Sequence, residues 1–194
     1  MSELVFLLEE QSAAEMLKGL LPRLELSDIQ IRYIVFEGKS DLEKHMVQRL
    51  RYYQSEDAHF VILRDQDAGD CKKIKEQLVE KCRAAGRADA MVRIACHELE
   101  SWYLADLAAV EKGLMIAGLA QKQDKAKFRK PDLLANACQE LEKLTNRRYQ
   151  TVGGSRAIGP YLDPANRRSR SFDVFVRGIK TITNPSGMPA HSKK

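Results

Sequence analysis

The chain has 194 residues, of which 44% are hydrophobic and 30% charged, with 32 basic against 27 acidic side chains. That composition excludes a disordered chain. A mean hydropathy of −0.41, without an apolar run near ~18 residues, argues against a membrane span. The N-terminus is acidic where a signal peptide is basic, and the four cysteines form no CxxC pair. We therefore expect a cytoplasmic protein with reduced thiols.

The first hundred residues alternate short apolar runs with helical patterns. Continuous apolar runs of this length are typical of strands that are buried on both faces of a parallel sheet. Four strands are predicted, at residues 4–8, 29–36, 60–63 and 90–96. Each is followed by a predicted helix, at residues 12–23, 40–50, 70–85 and 99–107. The alternation indicates an α/β, Rossmann-like fold in which helices flank a mostly parallel four-stranded sheet.

The pattern changes after about residue 112. An amphipathic helix is predicted at residues 131–144, and a loop rich in Gly and Pro at residues 149–166. Ser171 is predicted to cap a last helix, as Ser12 and Ser40 are predicted to cap earlier ones. We expect three parts: an α/β domain at 1–112, a basic helical extension at 113–183 that packs on it, and a disordered tail at 184–194.

The net charge of +5 hides an asymmetry along the chain. Residues 121–194 hold 16 Lys or Arg and 6 Asp or Glu, a net of +10, whereas residues 1–120 have a net of −5. Such a division is expected when carboxylates bind metal and cations bind a polyanion. The alternative is that the basic part is only a solvated surface.

Acidic side chains follow three of the four predicted strands. They are Glu9 and Glu10 after the first strand, Asp65 and Asp67 after the third, and Glu98 and Glu100 after the fourth. The carboxyl ends of parallel strands meet at one edge of a sheet, which is where ligands bind in such folds. Like charges there raise each other's pKa values and cost stability, and a divalent cation such as Mg²⁺ relieves this conflict. The alternative interpretation is a set of helix caps and solvated loop acids.

Four segments resemble known families. Residues 7–12 (LLEEQS) resemble the first Toprim motif, and residues 61–69 (VILRDQDAG) resemble the second. Residues 97–106 (HELESWYLAD) and 166–172 (NRRSRSF) resemble signatures of the bacterial family catalogued as domain of unknown function 4276. The resemblance to that family covers most of the chain, and the Toprim resemblance covers roughly the first hundred residues.

This resemblance implies a Toprim-like domain that cuts nucleic-acid strands, related to overcoming-lysogenization-type nucleases. It also implies a phage-defence context, often with an ATPase partner. Glu9, Asp65 and Asp67 would be the catalytic residues and would bind Mg²⁺ or Mn²⁺, while Glu98 and Glu100 would bind a second ion. Glu10 stands where Toprim domains usually have Gly, which leaves open whether Glu9 or Glu10 faces the site.

Basic side chains near the C-terminus are candidates for phosphate contacts. They are Arg167, Arg168 and Arg170, followed by Lys127, Arg129 and Lys130. The leading expectation is therefore a Mg²⁺-dependent nuclease acting on DNA or RNA. One alternative is a non-catalytic nucleic-acid-binding or regulatory subunit whose acids hold a structural metal. Another is an interaction module that only keeps the fold.

Overall fold

The computed structural model describes residues 2–26, 29–55 and 57–184. Its strands are β1 (Glu3–Leu8), β2 (Gln30–Val35), β3 (Ala58–Asp65) and β4 (Met91–Ala95). They form one sheet in the order β2-β1-β3-β4, with every neighbouring pair parallel. This confirms the predicted α/β fold. Within these ranges no helix is long and apolar enough to cross a membrane.

Eight α-helices accompany the sheet in the described part of the chain. They are α1 (Gln11–Leu20), α2 (Lys39–Arg51), α3 (Cys71–Ala84), α4 (Glu100–Leu104), α5 (Leu107–Leu114), α6 (Ala137–Leu144), α7 (Thr151–Ile158) and α8 (Arg170–Thr183). Short 3₁₀ turns lie at Leu21–Leu24, Ala120–Lys122, Ala126–Phe128, Pro131–Leu133 and Gly159–Tyr161. The helical C-terminal part that the sequence predicts is therefore present.

Strand β1 lies at the centre of two apolar layers. Successive side chains of a strand point to opposite faces of the sheet, so Leu4, Phe6 and Leu8 pack in one layer with α1 and the C-terminal helices. Val5 and Leu7 pack in the other layer, beneath α2 and α3. All five side chains are fully buried, which explains why this strand reads as an unbroken apolar run.

The predicted loop at residues 149–166 is wrong, because it contains helix α7. Gly153 and Gly154 suggested a turn, but Gly154 serves a close approach: a Cβ there would collide with the buried ring of Tyr149. Gly159 has a similar role, since its Cβ would lie 2.5 Å from the carbonyl oxygen of Met16 in α1. Gly154 therefore lets α7 pack against Tyr149, and Gly159, at the C-cap of α7, lets the chain approach α1.

Other helix boundaries also differ from the sequence prediction. Residues 131–144 are not one helix, since Pro131–Leu133 forms a 3₁₀ turn and α6 begins only at Ala137.

Helix α8 is capped by Ser169, whose hydroxyl accepts a hydrogen bond from the N–H of Phe172, and not by Ser171. Ser12 and Ser40 cap nothing, because α1 and α2 start one residue earlier, without side-chain caps.

Glu15 joins α1 to α7. Its carboxylate accepts hydrogen bonds from Arg156 Nε at 2.6 Å and from Lys18 Nζ at 2.7 Å. These two cations, Arg156 first, lower the pKa of Glu15 to about 2.

The boundary proposed at residue 112 stays a prediction. Helix α5 runs across it, and side chains from both parts, such as Phe6 and Phe175, belong to one apolar cluster. The tail predicted for residues 184–194 lies, beyond Asn184, outside the described residues.

Two adjacent glycines test whether residues 151–158 are helical. Gly153 has open space where a Cβ would be, so Gly153→Ala should raise the free energy of unfolding by about 0.4–1 kcal/mol. Gly154→Ala should lower it by about 1–3 kcal/mol, because the new methyl group overpacks against Tyr149. Urea denaturation of both variants measures the difference. Equal effects at the two positions would contradict helix α7.

The ion pairs of Glu15 should make stability depend on pH. Arg156 is 68% exposed, so Glu15→Gln should cost only about 1 kcal/mol near neutral pH. A lowered pKa stabilises the folded state above the ordinary Glu value of about 4.3, and this contribution disappears as the pH falls towards 2. The difference between wild type and variant should therefore vanish over that interval. Glu80→Gln is the matched control, since its pair with Arg83 is exposed on both sides.

Candidate functional site

The carboxyl edge of the sheet brings Glu9 and Asp65 into contact. Glu9 follows β1 and Asp65 ends the neighbouring strand β3. Glu9 Oε2 accepts a hydrogen bond from the backbone N–H of Asp65 at 3.2 Å, and its side chain is only 12% exposed. Glu10 is exposed, at the N-cap position of α1. Glu9 therefore contacts Asp65 directly, while Glu10 lines the same small cavity.

Both carboxyl groups sit where ionisation is unfavourable. Burial raises the pKa of Asp65 well above its ordinary range, and the charges of Glu100 and Glu9 raise it further, while a hydrogen bond of 3.2 Å from the N–H of Leu99 opposes this. Burial also raises the pKa of Glu9, and the N–H of Asp65 partly offsets that effect. The pair therefore needs a nearby positive charge to be stable as two carboxylates.

Glu100 and Glu98 are held by the C-terminal part of the chain. Glu100 is buried and accepts a hydrogen bond of 2.7 Å from the hydroxyl of Tyr149. Burial raises the pKa of Glu100, and this hydrogen bond lowers it. Glu98 Oε2 accepts a hydrogen bond of 2.7 Å from the N–H of Cys138, in the first turn of α6. Both acids lie within electrostatic range of each other but already have partners.

Asp67 lies in a loop with left-handed backbone geometry. Its φ is +54° and that of His97, in the facing loop after β4, is +56°. The N–H of Asp67 donates to the carbonyl of His97 at 2.7 Å, which fixes the two loops to each other. The carboxylate of Asp67 pairs with Lys39 Nζ at 2.7 Å, and both side chains are partly exposed. Opening such an exposed pair costs little.

Arg64 is a member of the site that the sequence analysis missed. Its side chain is 8% exposed and lies between Glu9, with Nε 3.8 Å from Oε2, and Glu43. Within the described residues, Arg64 Nε makes no hydrogen bond. The sequence does place a cation inside the apolar strand segment VILRD. Because buried charges are rare unless they are paired, this position indicates a buried partner for Arg64.

The Glu9–Asp65 pair offers two carboxylate oxygens to a magnesium ion, in a cavity of about 10 Å³ that leaves little room for the water of the ion. Glu9 Oε1 and Asp65 Oδ1 have no hydrogen-bond partner among the described residues. Mg²⁺ is usually held by one or two carboxylates together with waters and substrate phosphates. A complete protein cage is absent, since no three His, Cys, Asp or Glu side chains in residues 2–26, 29–55 and 57–184 form a ligand set.

A basic groove of about 820 Å³ begins beside this edge. Ala95 pairs with Asp65 in the sheet, and the next residue, Cys96, lines the groove. Its floor is apolar and includes Val92 and Ile94 of β4. Five cations surround it: Lys75, Arg93, Lys130, Arg168 and Arg170. The one acid in its lining is Asp132, which is bound to the N–H and hydroxyl of Ser171.

The structure separates the predicted phosphate-binding residues into two groups. Lys130, Arg168 and Arg170 line the groove. The other three lie outside its lining. Lys127 pairs with Glu140, Arg129 Nε donates to the carbonyl of Asp124 at 2.9 Å, and Arg167 is exposed.

A comparison with protein families gives one match, to the model described as domain of unknown function (DUF4276), over residues 8–180. The chain belongs to this family. The part of the chain that matches DUF4276 contains the acidic edge and the basic groove, together with the helices between them. Neither curated proteins nor solved structures give a match. The description of DUF4276 states no activity.

The raised pKa of Asp65 predicts that its charge destabilises the metal-free protein. A raised pKa stabilises the folded state below the ordinary Asp value of about 3.9, and that contribution is lost as the pH rises. Asp65→Asn keeps an acceptor for the N–H of Leu99 and should raise the melting temperature at pH 8, by about 2–4 °C per kcal/mol recovered. The gain should shrink towards pH 4. Glu76→Gln, an exposed change in α3, should leave the melting temperature unchanged.

Proposed function

We propose that this protein is a Mg²⁺-dependent phosphodiesterase that hydrolyses nucleic acid at the carboxyl edge of its sheet. The observation that carries this proposal is that Glu9, bound to the backbone N–H of Asp65, and Asp65 itself are largely buried acids whose pKa values are raised. Without a nearby cation, two such carboxylates lower the stability of the fold, because like charges repel each other. A catalytic metal site needs such a pair, because the carboxylates bind the ion.

In this proposal Glu9 is both a metal ligand and the base, and Asp65 is a metal ligand. Glu9 and Asp65 would hold the ion through the oxygens that lack hydrogen bonds. A bound Mg²⁺ neutralises phosphate charge and lowers the pKa of coordinated water. Glu9, whose pKa is raised by burial, is suited to accept a proton from an attacking water at its carboxylate. The guanidinium of Arg64, 3.8 Å from Glu9 Oε2, places a positive charge beside this carboxylate. Asp67 joins the set only when its exposed pair with Lys39 opens.

The basic groove supports nucleic acid as the class of substrate. Phosphate contacts dominate the affinity for nucleic acid, and Arg and Lys supply them. Arg168 and Arg170 meet Lys130 at one groove although they are about forty residues away in sequence. The groove adjoins the strand that pairs with the end of β3, so a strand bound there would lead towards Glu9 and Asp65.

A second candidate function is non-catalytic nucleic-acid binding by a regulatory subunit. It is favoured by the partners that Asp67, Glu98 and Glu100 already have inside the protein. Because those acids are engaged, each of them offers at most one oxygen to a second metal ion. The defence context, the Toprim relationship and an ATPase partner stay predictions from the family resemblance.

A cleavage assay tests the first proposal. The protein is incubated with single- and double-stranded DNA and RNA in Mg²⁺, Mn²⁺ or EDTA. We expect cleavage that EDTA abolishes and that Glu9→Gln slows by about 10²–10⁴-fold, the usual contribution of a general base. Asp65→Asn should abolish metal-dependent cleavage. Glu76→Gln, which removes an exposed carboxylate far along α3, should cut like the wild type.

Two further measurements separate metal binding from catalysis and binding from cutting. Saturating Mg²⁺ should raise the stability of the wild type, by about 2.7 kcal/mol at a hundredfold excess over Kd, and should not stabilise Asp65→Asn.

Replacing both Arg168 and Arg170 by Gln should weaken nucleic-acid binding and flatten the salt dependence of that binding. Equal cleavage by wild type and Asp65→Asn would contradict the site. Salt-dependent binding without cleavage in either metal would favour the regulatory subunit.

A further inference from the structure

Strand β2 is an edge strand whose outer side is open. In a parallel ladder the N–H and C=O of one residue point to the same neighbour, and alternate residues point to opposite sides. The N–H of Phe36 donates to the carbonyl of Leu8 in β1. It follows that Ile31, Tyr33 and Val35 direct their N–H and C=O groups away from the sheet. Among the described residues none of these six groups has a hydrogen-bond partner.

The usual protection of an edge strand is missing at β2. Proteins protect such edges with Pro, bulges or outward charges. Strand β2 contains no Pro, and its one cation, Arg32, is 51% exposed and paired with Glu3 at 2.9 Å. Val35 is apolar and 36% exposed.

The opposite edge of the sheet, strand β4, is partly covered. The N–H of Cys96, just beyond β4, is bound to Ser171 Oγ, and the carbonyl of Val92 accepts a hydrogen bond from Arg93 Nη1. Helix α8 lies against this strand, since Arg93 Nε also reaches the carbonyl of Val174. Val92 and Ile94 of β4 are buried whereas Val35 of β2 is 36% exposed, so β2 is the more accessible edge.

The surroundings of β2 favour a partner without strong charge. A groove of about 660 Å³ runs beside the strand, lined by Ile34, Val35, Phe36 and the 70%-exposed ring of Tyr52. Its charged groups nearly cancel: Asp41 holds His45 at 2.6 Å, and Arg49 is the remaining cation. The five cations of the groove at β4 favour a polyanion there. The nearly uncharged groove beside β2 instead favours a second copy of this chain as the partner.

We propose that two copies of this chain associate through β2, in antiparallel pairing around a two-fold axis at Tyr33. This register opposes Ile31 to Val35 of the other copy, and Tyr33 to its own equivalent. All six open backbone groups on each strand are then satisfied. Arg32 meets Ile34 across the axis, so no like charges oppose each other. The product is a continuous eight-stranded sheet.

Sedimentation or light scattering from about 1 to about 100 µM tests the proposal, because association follows mass action. The wild type should show a mass of twice 22.0 kDa at the upper concentrations. Val35→Pro removes only an outward N–H, which an edge strand tolerates, and should be monomeric with unchanged circular dichroism. Val35→Thr, which keeps the N–H, is the matched control and should remain dimeric.

Val35→Lys provides an independent variant in case Val35→Pro does not fold. A charge on the exposed edge disfavours pairing, so the dimer dissociation constant should rise at least tenfold. A wild type that stays monomeric over the whole range overturns the proposal, as does a folded Val35→Pro or Val35→Lys that dimerises like the wild type. A monomer that gains mass only when nucleic acid is added also overturns it.

Discussion

Repulsion between carboxylates at one edge of a parallel sheet is the constraint on which the other features of this structure depend. The fold brings the ends of β1 and β3 together and so forces Glu9 against Asp65. Burial makes their ionisation unfavourable. The acids are retained, and neighbouring groups partly offset their charge. Arg64 lies beside Glu9, the N–H of Leu99 donates to Asp65, and Lys39 pairs with Asp67.

The C-terminal extension takes part in this compensation. Tyr149 donates to Glu100, and the start of α6 donates to Glu98 through the N–H of Cys138. A helix N-terminus is a favourable place for a carboxylate, because its first N–H groups lack intrahelical partners. The extension is therefore part of the acidic edge as well as the source of the basic groove. The acidic and basic parts of the sequence are therefore not separate in the fold, because residues of the C-terminal part contact the acids.

The sequence predicted the strands within about two residues and the parallel sheet they form, because strands buried on both faces leave an apolar signal in short windows. It also placed Glu9 and Asp65 at the same edge, since that follows from topology alone. It could not predict α7, where Gly153 and Gly154 mimic a turn and only packing against Tyr149 reveals the helix. Nor could it predict the Glu98–Cys138 and Glu100–Tyr149 contacts, which join residues 40 and 49 positions apart.

The single tryptophan of the chain lies where α4 meets α8. Trp102 is 1% exposed, donates from Nε1 to Ser171 Oγ at 2.8 Å, and packs against the rings of Phe172 and Phe175 at centroid distances of 5.3 and 5.1 Å. Its emission therefore reports whether the last helix is docked, while circular dichroism reports all helices. Coincident unfolding curves from the two signals mean one cooperative unit, and an earlier fluorescence change means that the extension separates first. Fluorescence of Trp102 can therefore be used to follow the contact between α4 and α8 without an added label.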